Sequence, residues 1–242
     1  MICSAKTDIG LKRSVNQDAY GFKIISEDLA WAIVCDGMGG MAAGNIASEI
    51  AADHITNSFS ENLSPKLNEK QITTFLKAAV ESANAAIYEK ATNNDELKGM
   101  GTTVVCAVVK ENICFVAHAG DSRLYLFRDG TLIQMTSDHS VVQSMVDNGH
   151  LTEEEAKSHP NKNIITRALG VHKSVEVDIT DFNIKDGDVI LLCSDGLTNC
   201  VEDSEIVSIL NNSEFERISE LLIDKANSGG GIDNITAVAL KI

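Results

Sequence analysis

The chain has 242 residues, enough for one large domain with a sizeable core. Its 35 acidic side chains outnumber 20 Lys and Arg, a net charge of -15, so its surface field repels nucleic acid and anionic membrane faces and excludes both as partners. A second reading of the same excess is that some carboxylates pair with bound cations, and the two readings hold together.

In chain order, the first apolar run is WAIVC (31–35), too short for a helix and bounded by turn residues, which predicts a buried strand. A helix over 42–58 opens just after the glycines that follow it. Ile72, Phe75, Leu76, Ala79, Ala83, Ala86 and Ile87 recur at spacings of three and four and predict a second helix over 71–90. TVVCAVV (103–109) and ICFVA (113–117) predict strands joined by a hairpin at KEN, and RLYLF-RDG-TLIQM predicts another hairpin turning at Asp129-Gly130. DVILLC (188–193) is a further strand, and Phe215, Ile218, Leu221 and Leu222 follow helical spacing near the C-terminus. Pro65 and Pro160 fall in polar connections, and no internal repeat or linker divides the chain. Strands arriving as hairpins with helices in separate pairs predict an α+β layered fold in a single domain, 1–242.

The six cysteines (Cys3, Cys35, Cys106, Cys114, Cys193 and Cys200) show no CxxC pair or zinc-site spacing, and four lie inside apolar runs where a thiol acts as a small hydrophobe. No segment approaches the ~20 apolar residues of a membrane span, and the N-terminus lacks a basic region followed by an apolar stretch. The expected location is cytoplasmic.

Four aspartates occur where apolar strands meet glycine-containing turns: Asp36 in VCDGMGGMAAG, Asp121 in VAHAGDSR, Asp195 in VILLCSDGL and Asp233 in GGGIDNITAVAL. Each alone is an ordinary turn or cap. Together they can converge at one end of a sheet, where carboxylates within ~4–6 Å of one another require a positive charge between them. Oxygen donors without a His/Cys cluster suit Mg²⁺ or Mn²⁺ better than zinc. Gly37 lets the backbone approach an ion so that its carbonyl can serve as a ligand, and Gly39 and Gly40 permit the tight turn into the helix. Arg13 and Asp18 stand in the polar segment TDIGLKRSVNQDAY; a guanidinium fork beside a divalent pair is suited to holding a phosphate ester.

With these segments in hand, the chain resembles the metal-dependent serine/threonine protein phosphatases of type 2C, the PPM family, and in particular its compact bacterial members. The resemblance rests on TDIGLKRSVNQDAY, VCDGMGGMAAG, GMGTTVVCAVV, VAHAGDSRLYLF, MTSDHSVVQSMV, ITRALG, LLCSDGLTNCV and GGGIDNITAVAL, which occur in the family's order nearly from end to end. It implies a central antiparallel β-sandwich flanked by pairs of α-helices, four layers in the order α-β-β-α, with a two-metal site at one end. It also implies that Asp36 bridges two Mn²⁺ or Mg²⁺ ions, that the Gly37 carbonyl ligates the second, and that Asp195 and Asp233 ligate the first. Asp18 holds metal-bound waters, Asp121 with Asp195 matches a weaker third site, and Arg13 binds phosphate. Residues 144–166 fall where the family carries a mobile flap. Where relatives place a histidine, this chain has Met38 or Met41, neither able to move a proton; His118 and His139 are the remaining candidates in family-like motifs.

The function so implied is hydrolysis of phosphoserine and phosphothreonine in proteins by a water activated between two metal ions, the enzyme acting as a monomer that opposes a bacterial serine/threonine kinase and dephosphorylates that kinase and its substrates. Two rival readings are a phosphatase dedicated to one regulatory partner and a non-catalytic phosphoprotein-binding regulator. The complete aspartate set speaks against the second.

Overall fold

The computed structural model describes the backbone of residues 1–242 and all side chains except those of Met41 and Ala42. Strands β1 (Ile2–Asp8), β2 (Asp18–Ser26) and β3 (Leu29–Met38) lead into helices α1 (Gly40–Asn62) and α2 (Glu69–Thr92). A short β4 (Gly101–Thr102) precedes β5 (Val104–Lys110), β6 (Ile113–Ala119), β7 (Arg123–Arg128) and β8 (Thr131–Gln134). Two short helices, α3 (Val141–Asp147) and α4 (Glu153–Lys157), separate these from β9 (Asp178–Asn183) and β10 (Val189–Cys193). Then come α5 (Asp195–Thr198), α6 (Asp203–Asn212), α7 (Ile218–Ser228) and β11 (Ile235–Lys241).

The strands form two antiparallel sheets, ordered β1-β11-β10-β7-β8 and β2-β3-β5-β6-β9. Their facing sides meet in one apolar layer that includes Val34, Val105, Val116, Leu124, Ile190 and Val238. Alternation along each strand sends the other set of side chains outward. On the β2-containing sheet these are Trp31, Ile33, Cys106 and Phe115, covered by Ile55 and Phe59 of α1 and by Ile72, Leu76 and Ile87 of α2. On the other sheet Tyr125, Leu191 and Ala237 are covered by Leu197, Ile206, Leu222 and Ile223 from the C-terminal helices. Three apolar layers between two sheets and two layers of helices give the expected α-β-β-α order. Strands buried on both faces read as continuous apolar runs, which is why β3, β5 and β10 were recognisable by composition.

Both predicted hairpins form. Asp129 and Gly130 have φ of 52° and 79°, the pair of left-handed residues that a two-residue turn matching the strand twist needs. At KEN, Glu111 takes φ 52° and the turn joins Lys110 to Ile113. Helix α2 begins two residues before its predicted start, because Asn68 and Gln71 cap each other reciprocally. Of its predicted stripe, Phe75 and Ala86 lie at the margin of the core, while Val80 and Asn84 are buried with the rest.

Helix α1 begins at Gly40, two residues earlier than expected and inside the glycine cluster. Gly39, with φ 125°, turns the chain directly from β3 into the helix with no side-chain cap. Gly37 has a steric reason for being glycine as well. A Cβ on Gly37 would overlap the backbone carbonyl of Gly44 in α1 and stand 2.6 Å from the Gln17 carbonyl oxygen. The absence of a side chain there is thus demanded by the close approach of α1 to β3, in addition to any service its carbonyl performs.

Candidate active site

Antiparallel pairing of β2 with β3 sets Asp18 directly across from Asp36. Asp36 lies within β3, two residues before its end, rather than in a turn after it. Asp121 follows β6, Asp195 is the first residue of α5 immediately beyond Ser194 at the end of β10, and Asp233 stands two residues before β11. These strand ends come from both sheets and share one end of the sandwich. There Arg13, Asp36, Gly37, Asp121, Asp195 and Asp233 line a single cleft of about 500 Å³. Met38, Asn163 and Ile165 also face it, so the end of the segment 144–166 borders the cleft.

Asp18 lies behind this wall. Its Oδ2 accepts hydrogen bonds from Ser194 Oγ and Thr236 Oγ1, both at 2.7 Å, while its buried Oδ1 has no partner. Burial pushes its carboxyl up to about 7, with Asp195 and Asp233 adding repulsion against the two hydroxyl donors. Asp121 is likewise raised to about 7, by burial and then by Asp195 and Asp138. Asp195 is raised to about 6, by burial and by Asp233, although hydrogen bonds from the Asp36 carboxyl and from Asn199 Nδ2 oppose the shift. Asp36 is raised furthest above the ordinary carboxylate range, through burial and the fields of Asp18, Asp195, Asp121 and Asp233 in that order.

Such a cluster is deficient in positive charge. An unpaired buried carboxylate oxygen and four neighbouring carboxylates fit hard divalent cations held through oxygen. Among the described residues no three His, Cys, Asp or Glu side chains close on one point as an all-protein cage. Open carboxylate sets of this kind suit ions that keep several water ligands, as Mg²⁺ does.

Hydrogen bonds from outside the cluster hold it in shape. The backbone N–H of Asp36 donates to Thr103 Oγ1 (3.0 Å), which meets Ser122 Oγ at 2.7 Å, linking the Asp36 strand to the turn that carries Asp121. Arg13 reaches into the cleft from the loop between β1 and β2, and its Nη2 donates to Asp233 Oδ2 at 2.7 Å. Sequence reasoning missed Thr103, Ser122, Ser194, Asn199, Asn234 and Thr236. Their partners lie as far as 218 residues away in the chain, and a hydroxyl or amide at a strand end carries no local signal of what it will meet.

The two candidate histidines do not enter the cleft. His118 and His139 are buried and stacked on each other with ring centroids 4.6 Å apart. His139 Nδ1 accepts from the Gly120 N–H, and its Nε2 faces Asp178 and Arg167. Burial lowers His118 to about 4 and lowers His139 as well, and His139 braces the Gly120 turn. Met38 borders the cleft, whereas the side chain of Met41 lies outside the described residues.

The protein phosphatase 2C family model matches residues 11–226. A curated relative, the serine/threonine phosphatase stp of Listeria monocytogenes, is 39% identical over 98% of this chain and 94% of its own length. The protein phosphatase PhpP of Streptococcus pneumoniae is 37% identical over 100% of this chain and 98% of its own. Among solved structures, the Mycobacterium tuberculosis serine/threonine phosphatase PstP/Ppp superposes with a TM-score of 0.90 at 38% identity, covering 100% of this chain and 98% of that one. A structure of the catalytic domain of PstP in complex with two manganese ions superposes with a TM-score of 0.84 at 37% identity, covering 98% and 96%.

Proposed function

Because the chain belongs to the protein phosphatase 2C family, as a bacterial-type member, we propose that its cleft of converging aspartates is where a metal-dependent phosphatase hydrolyses phosphoserine and phosphothreonine in proteins. The observation that carries the site assignment is that Asp36, Asp121, Asp195, Asp233 and Arg13, scattered through the chain, line one 500 Å³ cleft. Asp36, the Gly37 carbonyl, Asp195 and Asp233 would hold two ions, Asp36 contributing to both. Asp18 would support them through water by its free Oδ1, and Asp121 with Asp195 would offer a weaker third position. The ions, Mn²⁺ or Mg²⁺, supply charge neutralisation and a water acidified to near-neutral pH.

The chain's own residues do the rest. Arg13 presents a planar fork that holds two phosphoryl oxygens of the substrate. The carboxylates set the geometry of the cationic site, with Ser194 and Thr236 holding Asp18, Asn199 holding Asp195 and Arg13 holding Asp233. No histidine lines the cleft among the described residues, and Met38 carries no proton, so the departing serine or threonine oxygen takes its proton from water in the cleft. Residues 144–166 form a flap whose end, at Asn163 and Ile165, borders the phosphate site.

Phosphorylated proteins are the substrates. We take them to be a serine/threonine kinase and its targets in the cytoplasm, with the chain acting as a monomer. Six free cysteines suit a reducing compartment, and no described helix is long and apolar enough to cross a membrane.

Two outcomes test this reading. Hydrolysis of a phosphothreonine peptide is expected to require added Mn²⁺ or Mg²⁺ and to stop in excess EDTA; full activity in the chelator would exclude the metal site. The second outcome concerns stability. With Asp195 near 6 and Asp18 and Asp121 near 7, against an ordinary aspartate near 3.9, the folded chain holds more protons than the unfolded chain between about pH 4 and 7. The cluster's contribution in metal-free protein is therefore full below about pH 4 and is lost as pH rises through 6–7. Cation binding reverses this by replacing the protons. Mn²⁺ at about 100 times its Kd is expected to add about 2.7 kcal/mol, some 5–10 °C in Tm, at pH 8, and much less at pH 5. Thermal melts with Mn²⁺ and with EDTA across that range would reveal it.

A further inference from the structure

Arg13 stands on a loop that has little packing of its own. Residues 11–15 are exposed, with Leu11 at 65%, and the Arg13 side chain itself is half exposed. A guanidinium on such a loop loses its orientation unless the loop is tied down elsewhere, because each immobilised backbone residue costs conformational entropy.

One side chain, Asn234, which is 4% exposed, bonds to both ends of the loop. Its Nδ2 donates to the carbonyl of Ile9 at 2.9 Å and to the carbonyl of Val15 at 3.0 Å, while its Oδ1 accepts from the N–H of Gln17 at 2.9 Å. Those three groups lie on either side of Arg13, so the amide closes both ends of the loop at once. Further contacts are made at both ends, since the Gly37 N–H donates to the Gln17 carbonyl at 3.0 Å and Ser48 Oγ donates to the same carbonyl. Leu11 N–H donates to the Gly231 carbonyl at 2.8 Å, and Gly10 packs so closely on Asp233 that a Cβ there would overlap its carbonyl. Asn234 itself is fixed from below, since its N–H donates to Asp233 Oδ1 at 2.8 Å and Gly196 packs against its carbonyl with no room for a Cβ.

We propose that Asn234 is a positioning residue for phosphate recognition: it fastens the Arg13 loop to the segment bearing Asp233 and so aims the guanidinium at the phosphoryl group. Two donors and one acceptor are all used, and among side chains of this size only an asparagine provides them. Aspartate fits the space and keeps the bond from Gln17, but it sets a carboxylate oxygen against two carbonyls. The inference rests on the reading of Arg13 as the phosphate-holding residue, and the experiment separates the two.

The test measures KM and kcat for a phosphothreonine peptide, the inhibition constant of inorganic phosphate, and Mn²⁺ affinity by calorimetry, in wild type, Arg13→Ala, Asn234→Asp and both combined. Arg13→Ala is expected to raise KM and the phosphate inhibition constant about tenfold to a hundredfold, the loss of charge-assisted bonds to an anion. Asn234→Asp should raise both about tenfold, with a smaller change in kcat, and add almost nothing once Arg13 is already alanine. Asn234→Ala, which brings no new charge, should repeat the pattern. If Arg13→Ala leaves phosphate inhibition unchanged, the role given to Arg13 fails and the inference with it. If Arg13→Ala has its effect but the Asn234 change is fully additive to it, or acts only by weakening Mn²⁺ binding, Asn234 is a support for β11 and the inference alone is overturned.

Discussion

Replacing Asp36 by asparagine is expected to lower kcat by about 10³-fold or more without unfolding the protein. Charge stabilisation by a metal is worth several kcal/mol to a phosphoryl transition state, and about 1.4 kcal/mol is tenfold in rate. Asn keeps the shape of Asp36, and its backbone bond to Thr103 remains available. What it removes is the negative charge that, in the proposed site, both ions would share. Relieving repulsion among Asp18, Asp36, Asp121, Asp195 and Asp233 should even leave the metal-free chain slightly more stable, because burial and mutual repulsion hold Asp36 far from its ordinary ionisation. Loss of activity with retained or raised Tm in EDTA, and with weakened Mn²⁺ binding by calorimetry, is the expected combination. Near-normal turnover in this variant would remove Asp36 from the metal site.

A second large effect is expected from a residue that carries no charge. Gly37→Ala introduces one methyl group between β3 and α1, where the Gly44 carbonyl already occupies its space and the Gln17 carbonyl is 2.6 Å away. Neither neighbour is a flexible side-chain tip, so helix or strand must shift. Overpacking of this kind typically costs 1–3 kcal/mol and occasionally more, and with two backbone carbonyls in the way about 3 kcal/mol is expected, some 6–12 °C in Tm for a chain of this size. Because Asp36 precedes Gly37, activity should fall with stability. Gly187→Ala is the control: it has the same added atom and open space around it, and is penalised only by its φ of 89°, at about 1 kcal/mol. Thermal melts of the two variants should differ clearly; equal shifts would show that the close approach is not rigid.

The local record of this chain was legible wherever a short-range rule operates. The runs that became β3, β5, β6 and β10 are apolar because both of their faces are covered, and the Asp129-Gly130 turn follows from the two left-handed residues it requires. The spacing of Ile72, Leu76, Ala79, Ala83 and Ile87 marked α2 for the same kind of reason: a helix repeats its face within four residues. Four aspartates at strand ends, together with the order of the surrounding segments, were enough to point to an oxygen-ligand metal site and to the phosphatase family.

Tertiary structure decided the rest. The pairing of β2 with β3 placed Asp18 opposite Asp36, and it was the meeting of both sheets at one end that brought Asp121, Asp195 and Asp233 to the same cleft. Folding also turned His118 and His139 into a buried stack away from the cleft, gave Gly37 a steric reason for being glycine, and set Asn234 under the Arg13 loop. The physical reason is the range of the forces involved. Periodicity and turn conformation act over a few residues, so sequence carries them directly. Asp18 receives its hydrogen bonds from Ser194 and Thr236, 176 and 218 residues away, and its raised pKa comes from burial and from Asp195 and Asp233, so these depend on where distant strands end up in space.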